Sequence, residues 1–472
     1  MSTNHESPIN IAQIERNFRE IAPPLTEAEA ILESHRCVYC YDAPCTRACP
    51  THIDVPAFIK KIASGNLTGS ARVIFEANPI GATCARVCPV EVLCEGACVE
   101  KTLMAKPIEI GRLQRYATDA VLARGRDVLR AGAPNGFSVG IVGSGPAGLS
   151  CATYLARLGY AVHIYERKAL AGGMDTYGMA EYKMTQRVSQ EEVAQVARLG
   201  VEIKTNTEIG RDISLAELAD MHDAVFLGVG LGATSRLGIP GEDLAGVYDA
   251  LDYIERIKTR DWASVPAGRT VAVIGAGNTA IDAVTQARRL GAERVLLLYR
   301  RTEREMPAYE YEYELAKQDA VEFWWQTAPV EILAGADGTR VAALRCVRTQ
   351  AVETNGSGRR SFQPIEGSEF EIPVDMVIKA LGQQKQVDWL SNIAKIKLDG
   401  AGRVEVNPET MQTGNPKFYA GGDCVNGGRE AVDAAQAGKL AAQGIHFHLA
   451  GERVQFAGAH VPLHEETSEI KH

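Results

Sequence analysis

The chain has 472 residues, 46% of them hydrophobic and 23% charged, with a net charge of -9, the make-up of a globular protein with room for about three domains. Basic residues are spread along the chain rather than clustered, which excludes the electrostatic footprint of a nucleic-acid or anionic-membrane binder. No apolar run approaches bilayer length and the start, MSTNHESPIN, lacks a signal-peptide pattern, so the expected location is the reducing cytoplasm, where structural disulfides are rare.

Taken in chain order, the first informative segment is a cysteine block. Eight of the 11 cysteines fall between residues 37 and 98. They read C-x2-C-x4-C-x3-C-P (Cys37, Cys40, Cys45, Cys49) and then C-x3-C-P-x4-C-x3-C (Cys84, Cys88, Cys94, Cys98). Ferredoxin-type sites use a similar run, in which the fourth cysteine ligates the other cluster of a pair, so two iron-sulfur clusters are the expected cargo. Zinc is the rival, but only one C-x2-C occurs and no His stands at ligand spacing. The following stretch, KPIEIGRLQRYATDAVLARG, has the apolar spacing of an amphipathic helix with Ile108, Leu113, Tyr116 and Val121 on one side. Read from residue type alone, Gln114 on that helix is a solvated side chain.

From residue 137 the pattern changes. FSVGIVGSGPAGLSCATYLARLGYAVHIYER gives a strand, then Gly143, Ser144, Gly145, Pro146, Ala147 and Gly148, a helix and a second strand ending at Glu166. This is a dinucleotide-binding fingerprint in context: a tight turn at Gly143, backbone approach to a pyrophosphate at Gly145, close helix packing at Gly148, and an acid for ribose hydroxyls. Residues 270–301 repeat the unit with Gly275, Ala276, Gly277, Asn278, Thr279 and Ala280. Its second strand ends in Arg300 and Arg301, which suit an adenosine 2'-phosphate or are solvated strand-end arginines. NPKFYAGGDCVNGGREAVDAAQAGKLAAQGI adds a strand, the turn Gly421-Gly422-Asp423 and an Ala-rich helix. Cys151, Cys346 and Cys424 are isolated and read as small buried hydrophobes; no C-x-x-C accompanies the fingerprints, and no catalytic acid or base is assigned.

With these motifs in place, the chain from about residue 25 to 450 resembles the iron-sulfur flavoprotein module of glutamate synthase small subunits and dihydropyrimidine dehydrogenases. The closing Gly-Gly-Asp turn is similar to that of two-dinucleotide-binding flavoproteins. The implied fold is α/β: an N-terminal α-helical ferredoxin-like iron-sulfur domain (1–135) and two Rossmann-like dinucleotide-binding domains, FAD-binding 136–250, NAD(P)-binding 251–383, and FAD-binding again 384–472 with the C-terminal tail. Gly228, Gly230 and Ala380 to Gly382 would serve the crossovers. The stretches DAPCTRACPTHIDVPAFIKKIA, NPIGATCARVCP and LCEGAC look closer to the pyrimidine branch, as does Gln114, 16 residues after the last cysteine of the block.

The resemblance implies one 4Fe-4S cluster on Cys37, Cys40, Cys45 and Cys98 and another on Cys49, Cys88, Cys94 and Gln114, leaving Cys84 over. It implies FAD on Gly143 to Gly148, Glu166, Gly172, Gly173, Lys183, Gly422 and Asp423, and NADH or NADPH on Gly275, Ala276, Gly277, Asn278, Thr279, Arg300 and Arg301, with Gly382 nearby. Gly178-Met179-Ala180 departs from the family's Gly-Ile-Pro, and Pro307 replaces a third basic residue, so the coenzyme stays open. The implied activity is electron input from NAD(P)H through FAD and the clusters to a separate FMN and iron-sulfur subunit, a hetero-oligomer that reduces uracil or thymine. A glutamate synthase small subunit is the alternative enzyme, and a non-catalytic redox-sensing module the alternative of another class.

Overall fold

A computed structural model describes residues 10–262, 264–352, 360–456 and 458. The chain divides into two compact units. One comprises Ala22–Gly173, Arg187–Gly230 and the chain from Val387; the other comprises the residues up to Ile21, Met174–Gln186 and Leu231–Gln386.

The first of these, the composite unit, opens with short helices. Glu27–His35 starts at a capping box, Thr26 Oγ1 accepting from Glu29 N at 3.3 Å while the Glu29 carboxylate accepts from Thr26 N at 2.8 Å. Val55–Ala63 carries Val55, Phe58, Ile59 and Ile62 at helical spacing, and these meet Ile74 of Leu67–Ala77 and Leu113 of Ile110–Leu122 in one core. The segments between them carry the cysteines, Cys45 and Cys84 within the short helices Pro44–Ala48 and Gly81–Val87 and the others outside helices.

The same unit contains a five-stranded parallel sheet in the order Phe418–Ala420, Ala224–Leu227, Ser138–Val142, Ala161–Tyr165, Glu202–Lys204. Ser138–Val142 is central: the chain runs outward through Ala161–Tyr165 to Glu202–Lys204 on one side and then returns to Ala224–Leu227 on the other, so the C-terminal end of Ser138–Val142 lies at the switch point where such sheets bind ligands. Helix Pro146–Arg157 packs on helix Ala431–Ala450 so closely that a Cβ on Gly438 would lie 2.2 Å from the Ala147 carbonyl oxygen. The helices and the sheet of this unit are joined by polar contacts: Tyr154 Oη donates to Ala77 O at 2.8 Å, and the buried Glu192 carboxylate accepts from Ala82 N at 2.7 Å and Thr83 N at 3.2 Å.

The second, inserted unit has its own five-stranded parallel sheet, ordered Val247–Asp249, Met376–Lys379, Thr270–Ile274, Arg294–Tyr299, Glu322–Trp325. An antiparallel sheet of Thr327–Ala334, Val341–Val352, Ser361–Pro364 and Phe370–Pro373 accompanies it. Helix Ile11–Asn17 contributes Ile14, followed by Phe18, to the core of Tyr253, Trp262 and Ile281.

The two sheets agree with the expected pair of Rossmann-like domains, but the expected boundaries differ from the division found. Residues 231–250 belong with the inserted unit because Val247–Asp249 pairs with Met376–Lys379. Residues 174–186 join it through buried ion pairs, Glu181 with Lys258 at 3.2 Å and Lys183 with Asp282 at 2.6 Å. Residues 10–21 lie in the same unit rather than with the N-terminal helices.

Candidate redox site

Cys37, Cys40, Cys45 and Cys98 line a single cavity, together with Val55, Ile59 and Glu100. The loop after Glu27–His35 supplies two of these thiols, the helix Pro44–Ala48 the third, and the residue capping Val99–Leu103 the fourth. Burial, reinforced by Cys98 and Cys37, pushes the Cys45 thiol up to about 12; burial raises Cys37 and Cys40 as well. Thiols so placed keep their protons unless a cation compensates the thiolates, and thiolate is the ligating form. Four thiols on one cavity wall are the kind of donor set an iron-sulfur core takes, while among the described residues no group of three or more His, Cys, Asp or Glu side chains is gathered closely enough to hold a metal ion.

A second group forms around Cys49, Cys88 and Cys94. A side-chain hydrogen bond with Cys84, then burial, then the charges of Cys84, Cys49 and Cys94 raise the Cys88 thiol. Burial, Glu95, Cys49 and Cys45 raise Cys94. Cys84 itself accepts from Asn78 Nδ2 at 3.1 Å. Gln114 corrects the solvated reading: it is 7% exposed, and its Nε2 donates to Gly81 O at 2.7 Å, leaving the carboxamide oxygen as its remaining polar atom. Cys37, Cys40, Cys45 and Cys98 are thus brought together around one cavity, and Cys49, Cys88 and Cys94 lie near one another with Cys84 beside them.

At the switch point of the first sheet, Gly143 turns the chain with φ +94°. A Cβ on Gly145 would meet nothing closer than Gly173 Cα at 3.9 Å, an open cradle beside the backbone into which a pyrophosphate fits. The buried Ser144 donates to Glu166 Oε2 from N at 3.1 Å and from Oγ at 2.5 Å, and its Oγ accepts from Gly172 N at 3.0 Å. Glu166 Oε1 accepts from Lys168 N at 2.8 Å, and the second lone pair of a carboxylate oxygen suits a ribose hydroxyl. Gly422 has φ +74°, and Asp423 Oδ1 accepts from Arg429 N at 3.1 Å.

The second fingerprint repeats the first. Gly275 has φ +131°, and a Cβ on Gly277 would meet nothing within 4 Å. Asn278 Oδ1 accepts from Tyr309 N at 3.1 Å and Ala276 O from Ala308 N at 3.2 Å, while Thr279 is half-buried. Arg300 is exposed and Arg301 half-buried at the strand end, their carbonyls accepting from Thr349 Oγ1 at 2.6 Å and Gln326 N at 2.9 Å. Gly382 O accepts from Ser235 N at 3.0 Å. Lys183, expected at the flavin, lies in the inserted unit with its ammonium on Asp282 and Glu312; burial opposes that charge, but the two carboxylates raise its pKa.

Residues 13–126 match the family model for dihydropyrimidine dehydrogenase domain II, 4Fe-4S cluster, and residues 137–438 match that for pyridine nucleotide-disulphide oxidoreductases. The small chain of NADPH glutamate synthase from Escherichia coli K12 is 36% identical over 454 residues, 93% of this chain and 95% of that one. The chain belongs to the glutamate synthase small-subunit and dihydropyrimidine dehydrogenase-like family of NAD(P)H flavo-oxidoreductases. A further member, the PreT subunit of NAD-dependent dihydropyrimidine dehydrogenase from the same organism, is 34% identical over 92% of this chain and 97% of its own. FprA of Mycobacterium tuberculosis in complex with NADPH has the same fold, with TM-score 0.54 and 20% identity over 68% of this chain and 87% of that one. This family member is therefore an NAD(P)H-dependent flavin oxidoreductase that binds FAD and a nicotinamide dinucleotide. Among its described residues no helix is long and apolar enough to cross a membrane.

Residue-level reasoning missed several groups of this flavo-oxidoreductase. Glu192, pushed up to about 7 by burial, caps helix Gly81–Val87, which leads into Cys88. Lys439 is 5% exposed and donates to Thr51 O at 3.0 Å, two residues past Cys49. A signal for Lys439 existed: Ala435, Gly438, Lys439 and Ala442 share helical spacing, and all are buried. Cys151, Cys346 and Cys424 are buried as expected.

Proposed function

We propose that this chain is the electron-input subunit of a cytoplasmic dihydropyrimidine dehydrogenase, working with a separate FMN and iron-sulfur subunit that reduces uracil or thymine. The observation that carries this is the grouping of Cys37, Cys40, Cys45 and Cys98 around one cavity and of Cys49 near Cys88 and Cys94, with the buried Gln114 hydrogen-bonded to Gly81 O at the start of the helix that leads to Cys88. When bound, FAD takes a hydride from the nicotinamide and releases electrons singly, and 4Fe-4S centres carry them one at a time. Cys37, Cys40, Cys45 and Cys98 would hold one centre, and Cys49, Cys88, Cys94 and Gln114 the other. The Gly143–Gly148 turn, Glu166, Gly172, Gly173, Gly422 and Asp423 would hold and orient FAD; Gly275–Thr279 would hold the nicotinamide dinucleotide, with Arg300 and Arg301 at its adenosine end. Lys183 stays outside this flavin set because its ammonium already has two carboxylates. No acid or base is required of the protein for hydride transfer, whose demands are position and exclusion of water.

The 36% identity to a glutamate synthase small chain favours a second reading, electron delivery from NADPH to a glutamate synthase large subunit. Anaerobic reconstitution with candidate partner subunits separates the two. Uracil reduction driven by NADH or NADPH only when the partner is present is the expected result. Turnover of glutamine with 2-oxoglutarate, or uracil reduction by this chain unaided, would overturn the pyrimidine assignment.

A further inference from the structure

We propose that Lys439 is the buried counter-charge of the site built around Cys49, a positioning residue whose ammonium favours one-electron reduction there. The inference rests on the reading of that site as an iron-sulfur centre. Helix Ala431–Ala450 follows the Gly422-Asp423 turn and lies against Pro146–Arg157, so close at Gly438 that no side chain fits between them. The next residue is Lys439. Its Nζ donates to Thr51 O at 3.0 Å and stands 5.5 Å from the centroid of the Tyr154 ring, and Thr51 Oγ1 lies 3.4 Å from Cys49 Sγ.

A lysine this deeply buried costs free energy unless a negative charge answers it. Three thiolates and a neutral carboxamide leave a 4Fe-4S centre net negative, and more so after it gains an electron. An ammonium across one residue from Cys49, its pKa lowered by burial to about 8 but supported by the Cys49 charge, therefore stabilises the reduced form more than the oxidised one while it keeps its proton. The cavity of Cys37, Cys40, Cys45 and Cys98 stands in the opposite field, because the charged side chain on its wall is the carboxylate of Glu100. Lys439 thus biases the Cys49 site upward against Glu95, which acts on Cys94, while Glu100 biases the Cys37 site downward.

The test uses purified holoprotein carrying Lys439→Met, Lys439→Gln or Lys439→Arg, assayed for iron and sulfide and titrated electrochemically with EPR detection. Both neutral variants are expected to shift the reduction equilibrium of one centre toward the oxidised form by about tenfold, about 59 mV for a one-electron couple. The arginine variant, which keeps the charge, should stay near wild type. If both neutral variants lose that centre while the arginine variant retains it, the counter-charge role also stands. Unmoved potentials in Lys439→Gln with both centres present, or a shift in Lys439→Met alone, would overturn it, the latter by assigning the effect to the Thr51 hydrogen bond. Wild-type protein purified and reconstituted without any iron or sulfide would overturn the reading of the site itself, a failure distinct from a potential that does not move.

Discussion

Glu192 shows what a single buried carboxylate does to this protein. Burial dominates its environment and lifts its pKa from 4.5 to about 7, even though Thr83 Oγ1 and the amides of Ala82 and Thr83 hydrogen-bond to it. The native state therefore binds this proton more tightly than the unfolded chain does. Stability is greatest below the unfolded pKa and falls as pH rises from there through the folded value near 7, by about 3 kcal/mol in all. Glu192→Gln keeps an acceptor for both amides but carries no charge, so it should be the more stable protein at pH 8 and lack that slope. Denaturant midpoints at pH 5 and pH 8 check this, and equal slopes for the two proteins would refute it. At this scale the legible residues were those whose role is local: the cysteine spacings and the glycine turns act through a few consecutive residues. Gln114 and Glu192 were misread or illegible because their burial depends on which distant helix packs over them, whereas Lys439 sits in a legible buried register but gives no local sign of its partner Thr51.

Among the elements, the crossing of Pro146–Arg157 with Ala431–Ala450 is the most demanding contact. Ala-rich sequence on the second helix lets the backbones approach, and a Cβ at Gly438 would sit 2.2 Å from Ala147 O and 2.8 Å from Cys151 N. Both are backbone atoms of the helix that begins at the first fingerprint, so they cannot yield without moving the glycine turn. Gly438→Ala gains about 1 kcal/mol in helix propensity but pays overpacking of about 3 kcal/mol, for a net loss near about 2 kcal/mol. A lower Tm and flavin released on gel filtration are the expected readouts. The helix and strand pattern around both fingerprints was plain from periodicity, since Val139, Ile141, Val271 and Val273 alternate or run together as buried strands do. The short segment 174–186 was not, because buried ion pairs with Lys258, Asp282 and Glu312, rather than any local pattern, decide where it belongs.

Over the whole molecule, the run from Cys37 to Pro50 is divided by the proposed function between two sites, Cys37, Cys40 and Cys45 on one and Cys49 on the other. Cys37→Ala and Cys49→Ala should each abolish a different low-temperature EPR signal of the reduced protein; loss of the same signal in both would show that the partition is wrong. The interleaving of the two units has another consequence, for the growing chain. The inserted unit's parallel sheet has all its strands once Lys379 has been synthesised, yet the composite unit's sheet lacks an edge strand until Phe418–Ala420 appears. Helix Ala431–Ala450, which covers the fingerprint helix, comes later still. On the ribosome the fingerprint begun at Gly143 must therefore wait, with an unpaired strand edge and an uncovered helix, while a whole nucleotide-binding unit is made between its two halves. The later-numbered unit is the earlier one to close, and the flavin cradle is among the last parts of this protein to be completed.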